Sequence, residues 1–221
     1  AKVDVGGAYL NALIESGDEI FMEINRDITA VLVEALPDVK KFITERGTLI
    51  VKVVKALYGL VQSAALWHDT LVTFLKSLGF VQNDIDPCVM NKKIDDHMIT
   101  IILYVDDILI MSKVKSEIAW LIGELEREYE EVSVEAGNKF TYLGMGLKIE
   151  RDHSIELSME KYIEDVHQTF FGKDAKIKTY TTPCNQSLFE KPKGELLNES
   201  RKKRFHTVVA MLLYLCKRTR I

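Results

Sequence analysis

Two aspartates, Asp106 and Asp107, stand where two strand-like apolar stretches meet inside the run Met98 to Met111. Paired carboxylates withdrawn from water repel each other and are costly to desolvate unless a cation sits between them. A third aspartate, Asp4, follows Lys2 and Val3 and opens the segment that ends at Asn11. If the strand carrying Asp4 lies beside the hairpin, three carboxylates meet at one sheet edge. Hard oxygen ligands of this kind suit two magnesium ions, with manganese as a substitute and substrate phosphates completing the shells. Ions about 3.5–4 Å apart activate a hydroxyl and steady a leaving pyrophosphate, which is the chemistry of nucleotidyl transfer. A second reading stays open, because Asp is favoured in turns and the pair then only closes a hairpin.

The residues around these carboxylates carry a resemblance. Tyr104-Val105-Asp106-Asp107 resembles the Tyr-X-Asp-Asp box of reverse transcriptases, and Asp4 to Asn11 resembles their first catalytic motif. The segment Lys55 to Trp67 is similar to the Leu-Tyr-Gly-Leu-Lys-Gln-Ala-Pro segment of copia-like retrotransposons. Leu78-Gly79-Phe80 with Asp86-Pro87-Cys88, Tyr142-Leu143-Gly144 with Ile149, and Leu157-Ser158-Met159 before Tyr162 follow in family order, as do Thr182-Pro183 and Leu212 to Arg220. The resemblance therefore spans nearly the whole chain, collinearly. It implies an α+β polymerase palm, an antiparallel sheet with helices on one face and a split βαβ, RRM-like core, with a partial thumb and the fingers largely missing. It divides the chain into a palm over 1–150, with a residual fingers segment at about 15–55, and a palm–thumb connection with a partial helical thumb over 151–221. The implied activity is RNA-directed DNA polymerisation, in which a DNA primer 3′-hydroxyl attacks a dNTP on an RNA or DNA template with two Mg2+ ions. The implied neighbours are the rest of a Gag-Pol polyprotein, including integrase and ribonuclease H. The implied location is a cytoplasmic virus-like particle, with no membrane.

The same resemblance distributes roles. Asp4, Asp106 and Asp107 become catalytic metal ligands, Asp4 and Asp106 touching both ions, with the backbone carbonyl of Val5 as an extra ligand. Gly6, Gly7, Ala8 and Tyr9 fall at the nucleotide. Tyr9 stands where reverse transcriptases place a bulky aromatic under the sugar, excluding a ribose 2′-hydroxyl; the lesser alternative is a half-buried strand tyrosine. Gly6 and Gly7 permit close backbone approach or simply mark a bend. Tyr58, Gly59 and Gln62 are further nucleotide contacts. Around Gln62 the chain departs from the family wording, with Val61, Ser63, Ala64 and Ala65 in place of Lys, Ala, Pro and Arg. That removes a phosphate contact at Val61 and the usual helix-starting Pro, leaving Ser63 as a cap. Trp67 suits either the core or a stacking platform. Tyr104 and the hairpin Tyr142-Leu143-Gly144 are the primer and template contacts, although an ordinary edge hairpin explains the latter too. Val134 replaces a Lys common in relatives and Lys139 is out of register, so no general acid is assigned. Arg201 to Arg204, Lys217, Arg218 and Arg220 would track a phosphate backbone, or form solvated helix ends.

Composition narrows the class. A chain of 221 residues with 47% hydrophobic content can bury one large or two small cores. No apolar run approaches the roughly 20 residues of a membrane helix, and no leader opens the chain, so it reads as soluble and intracellular. Cys88, Cys184 and Cys216 suggest neither a disulfide framework nor a zinc site and read as small buried hydrophobes. The five histidines, His68, His97, His153, His167 and His206, lack paired metal spacing and read as surface residues. A net charge of −4 argues against a strongly basic nucleic-acid binder, though acidity concentrates in Glu117 to Glu135. Both ends read as cut from a longer polyprotein, at Ala1 just before the first motif and at Ile221 inside a helical run.

The elements that must hold these residues follow from periodicity. Glu19 to Ile24 predicts a short strand, Leu32 to Glu45 a helix and loop broken at Pro37, and Thr48 to Lys55 a strand after Gly47. Ser63 to Leu78 has helical spacing with Gly79 as its stop. Cys88 to Lys92, Met98 to Tyr104 and Ile108 to Met111 form a meander with a turn at Asp95-Asp96. Ile118, Leu121, Ile122, Leu125 and Tyr129 share one helical stripe. Met145 to Ile149 and Ile155 to Ser158 make a second hairpin across Asp152-His153-Ser154, and Glu160 to Phe171 is helical. Thr181 to Asn198 reads as a linker before a last helix, Phe205 to Lys217. Two other function classes remain: a decayed transposon remnant that folds without polymerising, and an RRM-like RNA-binding module. The second ranks lower, because RRM sheets carry stacking aromatics where this chain offers Asp4, Asp106 and Asp107.

Overall fold

Between His97 and Tyr104 every second residue is buried: Ile99, Ile101 and Leu103 lose nearly all solvent contact, while Met98, Thr100 and Ile102 do not. That period of two marks a strand with one face on a core. The structure, a computed structural model, describes residues 1–14, 17, 19–152, 154–172, 175–176, 181–182, 184, 190 and 194–219. The chain divides into two units, 1–136 and 137–221.

The first unit contains β1 (Lys2–Val5), a 3-10 turn (Ala8–Asn11), β2 (Phe21–Ile24), α1 (Arg26–Ala35), a 3-10 segment (Pro37–Phe42), β3 (Leu49–Lys52), α2 (Ser63–Ser77), β4 (Val81–Gln82) and β5 (Val89–Ile94). It continues with β6 (His97–Tyr104), β7 (Asp107–Met111), α3 (Lys115–Glu128) and β8 (Val132–Glu135). Six strands form one antiparallel sheet in the order β4-β5-β6-β7-β1-β8, and β2 pairs with β3 separately. Trp67, Leu71 and Leu75 of α2 and Leu121 and Leu125 of α3 pack into one core with Val3, Val5, Met90, Ile99, Ile101, Ile108 and Ile110 of the sheet. Burying a side chain of this size contributes about 1.5–3 kcal/mol, so this layer dominates the unit's stability.

The second unit contains β9 (Lys139–Tyr142), β10 (Met145–Ile149), β11 (Ile155–Ser158), α4 (Glu160–Phe171) and α5 (Glu199–Thr219). Its sheet runs β11-β10-β9, antiparallel throughout. The unit begins upstream of the break at 150 read from sequence, because β9 pairs along its whole length with β10.

The long periodic segments form as expected: α2, α3, α4, the β5–β7 meander and the β10–β11 hairpin. Asp152 closes that hairpin by accepting from Ser154 N at 3.0 Å and Ser154 Oγ at 2.7 Å. Three boundaries differ. Helix α1 begins at Arg26, not Leu32, because Asn25 Oδ1 caps it by accepting from Ile28 N at 3.0 Å. Helix α5 begins at Glu199, not Phe205, where Asn198 Oδ1 accepts from Arg201 N at 3.0 Å. Strand β3 stops at Lys52, as far as β2 can pair with it. Strands β4, β8 and β9 had no reading of their own; each has two to four residues, too few to show a period. Cys88 is half-buried, but Cys184 and Cys216 are exposed rather than core. Half of the linker read at Thr181 to Asn198, Pro183 included, and His153 lie outside the described residues. Among the described residues no helix is long and apolar enough to cross a membrane.

Candidate active site

Alternation along β1 buries Val3 and Val5 and sends Lys2 and Asp4 to the other face of the sheet. Strand β1 lies between β7 and β8, and its register sets Asp4 directly opposite Asp107. Tyr104 pairs with Asp107 at the end of the β6–β7 hairpin, so Val105 and Asp106 are its two turn residues. Val5 N donates to Asp106 O at 3.1 Å, tying the turn to β1. The sequence-level condition for a carboxylate cluster, that Asp4 lie beside the hairpin, is met.

Like charges opposite each other across a strand pair are destabilising. Here Lys2 offsets part of that cost, since its Nζ lies 2.9 Å from Asp107 Oδ1 and 3.9 Å from Glu135 Oε1. The hydrogen bond to Asp107, foremost, holds the Lys2 ammonium above its usual pKa. Asp4 is shifted the other way from an ion-paired acid. Burial first, then Asp106 and Asp107, push its carboxyl above the usual range, and Lys2 only partly counters them. The cluster is thus short of positive charge at Asp4 and Asp106, with Asp107 engaged by Lys2.

That donor set fits a divalent cation in chemistry: hard carboxylate oxygens, an uncompensated negative field, and an open sheet face where phosphates could complete the shell. Among the described residues, however, no three His, Cys, Asp or Glu side chains come together closely enough to hold a metal ion by themselves. The fit is therefore to ions held by few protein ligands. The hollow of about 430 Å³ in this unit lies elsewhere, lined by Lys92, Trp120 and Glu117 among others.

Each neighbouring motif residue has its own local setting. Tyr9 is half-buried, and its ring packs at 4.5 Å between centroids, tilted by 50°, against Tyr58, which is exposed. Burial, then Asp106, Tyr9 and Asp4, raise the Tyr58 phenol pKa. Ala8 is fully buried. Gly7 takes φ 58° to start the 3-10 turn that carries Tyr9. Gly6 has a packing reason: a Cβ there would lie 2.6 Å from Oε2 and 2.7 Å from Cβ of Glu131. Gly59 takes φ 100° in the turn before α2. Gln62 is half-buried at the helix start and its side chain makes no cap; Ser63 does not cap either, because it is the first helical residue and its Oγ donates to Leu57 O at 2.6 Å. Tyr104 is exposed at the hairpin end. Trp67 is core, 1% exposed, and its indole Nε1 donates to Val105 O at 2.6 Å.

In the second unit, Tyr142 is buried and Leu143-Gly144 form the two-residue turn between β9 and β10. Tyr214 OH donates to Leu143 O at 2.9 Å. Arg204 of the basic run closes the end of α4, donating to Thr169 O at 3.1 Å and to Phe170 O, and Arg218 stacks over Tyr214. These two cations have structural partners in their own unit. His97 is likewise no plain surface residue. Its Nε2 lies 2.6 Å from Glu117 Oε1, and bonds to Glu117 and then Asp96 raise its pKa.

Sequence reasoning missed Lys2 as the partner of Asp107, Glu131 as the reason for Gly6, and the hydrogen bonds of Trp67 and Tyr214. Only the Lys2 role had a local signal, its i,i+2 spacing from Asp4 on one strand face.

Comparisons with known proteins identify what the chain is similar to. A family model described as reverse transcriptase (RNA-dependent DNA polymerase) matches residues 1–186. The chain is 33% identical over 177 residues to the retrovirus-related Pol polyprotein from transposon TNT 1-94 of Nicotiana tabacum, covering 79% of the chain and 12% of that protein. It is 30% identical over 122 residues to the transposon Ty1-DR1 Gag-Pol polyprotein of Saccharomyces cerevisiae, covering 52% and 7%. The chain spans about a tenth of the length of these relatives.

Proposed function

The chain belongs to the reverse transcriptase (RNA-dependent DNA polymerase) family, in its copia-like branch, and we propose that its first unit is the catalytic palm of such an enzyme. In this reading the reaction is template-directed attack of a DNA primer 3′-hydroxyl on a deoxynucleotide. The observation that carries it is the register of β1 against β7, which sets Asp4 opposite Asp107 with Asp106 at the adjoining turn.

Asp4 and Asp106, with the Val5 carbonyl, would hold two magnesium ions, manganese substituting. Bound there, the ions supply charge neutralisation at the phosphates and a more acidic primer hydroxyl. Lys2 holds Asp107 in place and limits repulsion on Asp4. Tyr9, braced by Tyr58, forms the floor under the nucleotide sugar and excludes a 2′-hydroxyl. Gly6, Gly7 and Ala8 supply the backbone that precedes this floor, and Gly59 and Gln62 face the nucleotide. Tyr104 contacts the template-primer from the first unit, and the Tyr142-Leu143-Gly144 turn of the second unit grips the primer. The second unit is read as the primer-grip hairpin with a partial thumb. By the names of its relatives, the chain works as part of a Gag-Pol polyprotein; integrase, ribonuclease H and a cytoplasmic virus-like particle follow from the family resemblance alone.

The test is cation binding followed by extension. Magnesium or manganese raises the melting temperature of the chain, and Asp106→Asn or Asp4→Asn removes that increase. A response that survives Asp106→Asn overturns the reading. Primer extension on an RNA template then falls by about 10²-fold or more in either variant, the usual loss when an electrostatic group of an active site is removed. The Lys2–Asp107 ion pair and the Val at position 61 favour a second reading, a folded but non-catalytic remnant. A remnant shows no cation response even in the wild type.

A further inference from the structure

Three non-glycine residues among those described have positive φ: Asp95 at 50°, Val105 at 56° and Leu143 at 49°. Asp tolerates this region because its short polar side chain bonds locally, but a β-branched valine does not. A valine there persists only where its surroundings hold it. Val105 lies in the turn that presents Asp106.

Its surroundings are specific. The indole N–H of Trp67 reaches the Val105 carbonyl, and Val5 N reaches the next carbonyl, that of Asp106. The turn is thereby tied on one side to α2 and on the other to β1. The donor is itself immobile: Trp67 is 1% exposed, and Tyr129 packs edge-on against it at 5.3 Å while also packing on Phe74 at 5.7 Å. The carbonyl that Trp67 holds belongs to the peptide joining Val105 to Asp106. Its orientation sets the direction in which Asp106 leaves the turn.

We propose that Trp67 is a positioning residue, whose indole N–H locks the strained Val105–Asp106 peptide and so aims the Asp106 carboxylate toward Asp4. The proposal rests on reading Asp4 and Asp106 as cation ligands. The second unit contains the same device. Leu143 opens the β9–β10 turn at positive φ, and Tyr214, from α5, donates to its carbonyl. In both hairpins an aromatic donor on a helix bonds the carbonyl of an apolar residue in a left-handed turn position.

The experiment uses the 221-residue chain and manganese as the probe, with affinity read by electron paramagnetic resonance. Trp67→Phe keeps an aromatic ring but loses the N–H with part of the indole bulk, and weakens manganese binding by about 3- to 10-fold, the worth of one well-made hydrogen bond. Trp120→Phe, an indole lost elsewhere in the same unit, leaves the affinity unchanged. Val105→Gly relieves the left-handed strain, so adding Trp67→Phe to it costs much less affinity than in the wild type. A purely structural indole would lower the melting temperature equally in both backgrounds without that rescue. Wild-type affinity in Trp67→Phe, alongside lost binding in Asp106→Asn, overturns this proposal and leaves the polymerase reading intact. Undiminished binding in Asp106→Asn overturns both. Should Trp67→Phe fail to fold, magnesium titration of the wild type followed through the indole 15N–1H resonances decides the matter. The Trp67 resonance shifts in step with cation binding and that of Trp120 does not; a stationary Trp67 resonance overturns the proposal.

Discussion

Asp4 and Asp107 face each other across β1 and β7 at a cross-strand pair that would repel strongly without Lys2, whose ammonium lies 2.9 Å from Asp107. The remaining repulsion falls on Asp4, whose carboxyl is pushed up by burial, then by Asp106 and Asp107. Its folded pKa lies above its unfolded one, so the native state binds the proton more tightly. The stability this group adds is present below its ordinary value of 3.8 and is lost as pH rises through the raised folded value. At neutral pH, without cations, the charged carboxylate is therefore a net cost. Asp4→Asn is expected to raise the cation-free melting temperature at neutral pH and to remove this part of the gain on mild acidification. Thermal melts of both proteins across the carboxylate range check it. A variant that melts lower than wild type at neutral pH would show that Asp4 is not under repulsion.

At the level of elements, the end of β1 and the start of β8 approach so closely that Gly6 N donates to Glu131 O at 2.7 Å. A methyl group at Gly6 meets the Cβ of Glu131, not only its flexible carboxylate end. Gly6→Ala is therefore expected to destabilise the chain by about 1–3 kcal/mol, the usual cost of overpacking. Glu131→Gly in the same chain recovers part of the loss, whereas Glu131→Ala, which keeps the Cβ, recovers little. Urea unfolding of the three variants measures this, and a Gly6→Ala protein as stable as wild type would mean that the two strands yield. The paired glycines were visible in the sequence as a bend or a close approach. Which neighbour demanded the first of them was not, because Glu131 lies far along the chain and the strand it precedes is four residues long. Helices α2, α3 and α4 were legible for the opposite reason, since their apolar positions repeat locally at helical spacing.

Across the whole chain, apolar burial is uneven. The first unit has a continuous core from α2, α3 and four sheet strands, with Val3, Ile101 and Ile110 among its residues. In the second, the buried apolar residues among those described are Phe140, Tyr142, Leu147, Met159, Val166 and Val208. Amide protection follows such burial, because segments with few packed apolar groups open at lower free energy. Hydrogen exchange is expected to be slowest in β6, β7, α2 and α3 and distinctly faster in β9–β11 and α5. Equal protection in both would mean that the chain unfolds as one cooperative body. The composition allowed one large core or two small ones, and nothing in residue content chose between them.

Local pattern alone established a bend at the Asp106-Asp107 pair, apolar strands on either side, helices with one apolar stripe, and the collinear motifs that place the chain in its family. The two-residue turn Val105-Asp106 and the strand pairing came from the three-dimensional fold. A period of two says which face of β1 is buried, not which strands flank it, so Asp4 opposite Asp107 awaited the β7-β1-β8 order. The same holds for Trp67, whose apolar bulk predicts burial while its single N–H takes a direction only from where the core seats the ring. Lys2 against Asp107 and Tyr214 against Leu143 belong to the same kind. Each is a pairing between residues far apart in sequence, and local pattern carries no term for such distances.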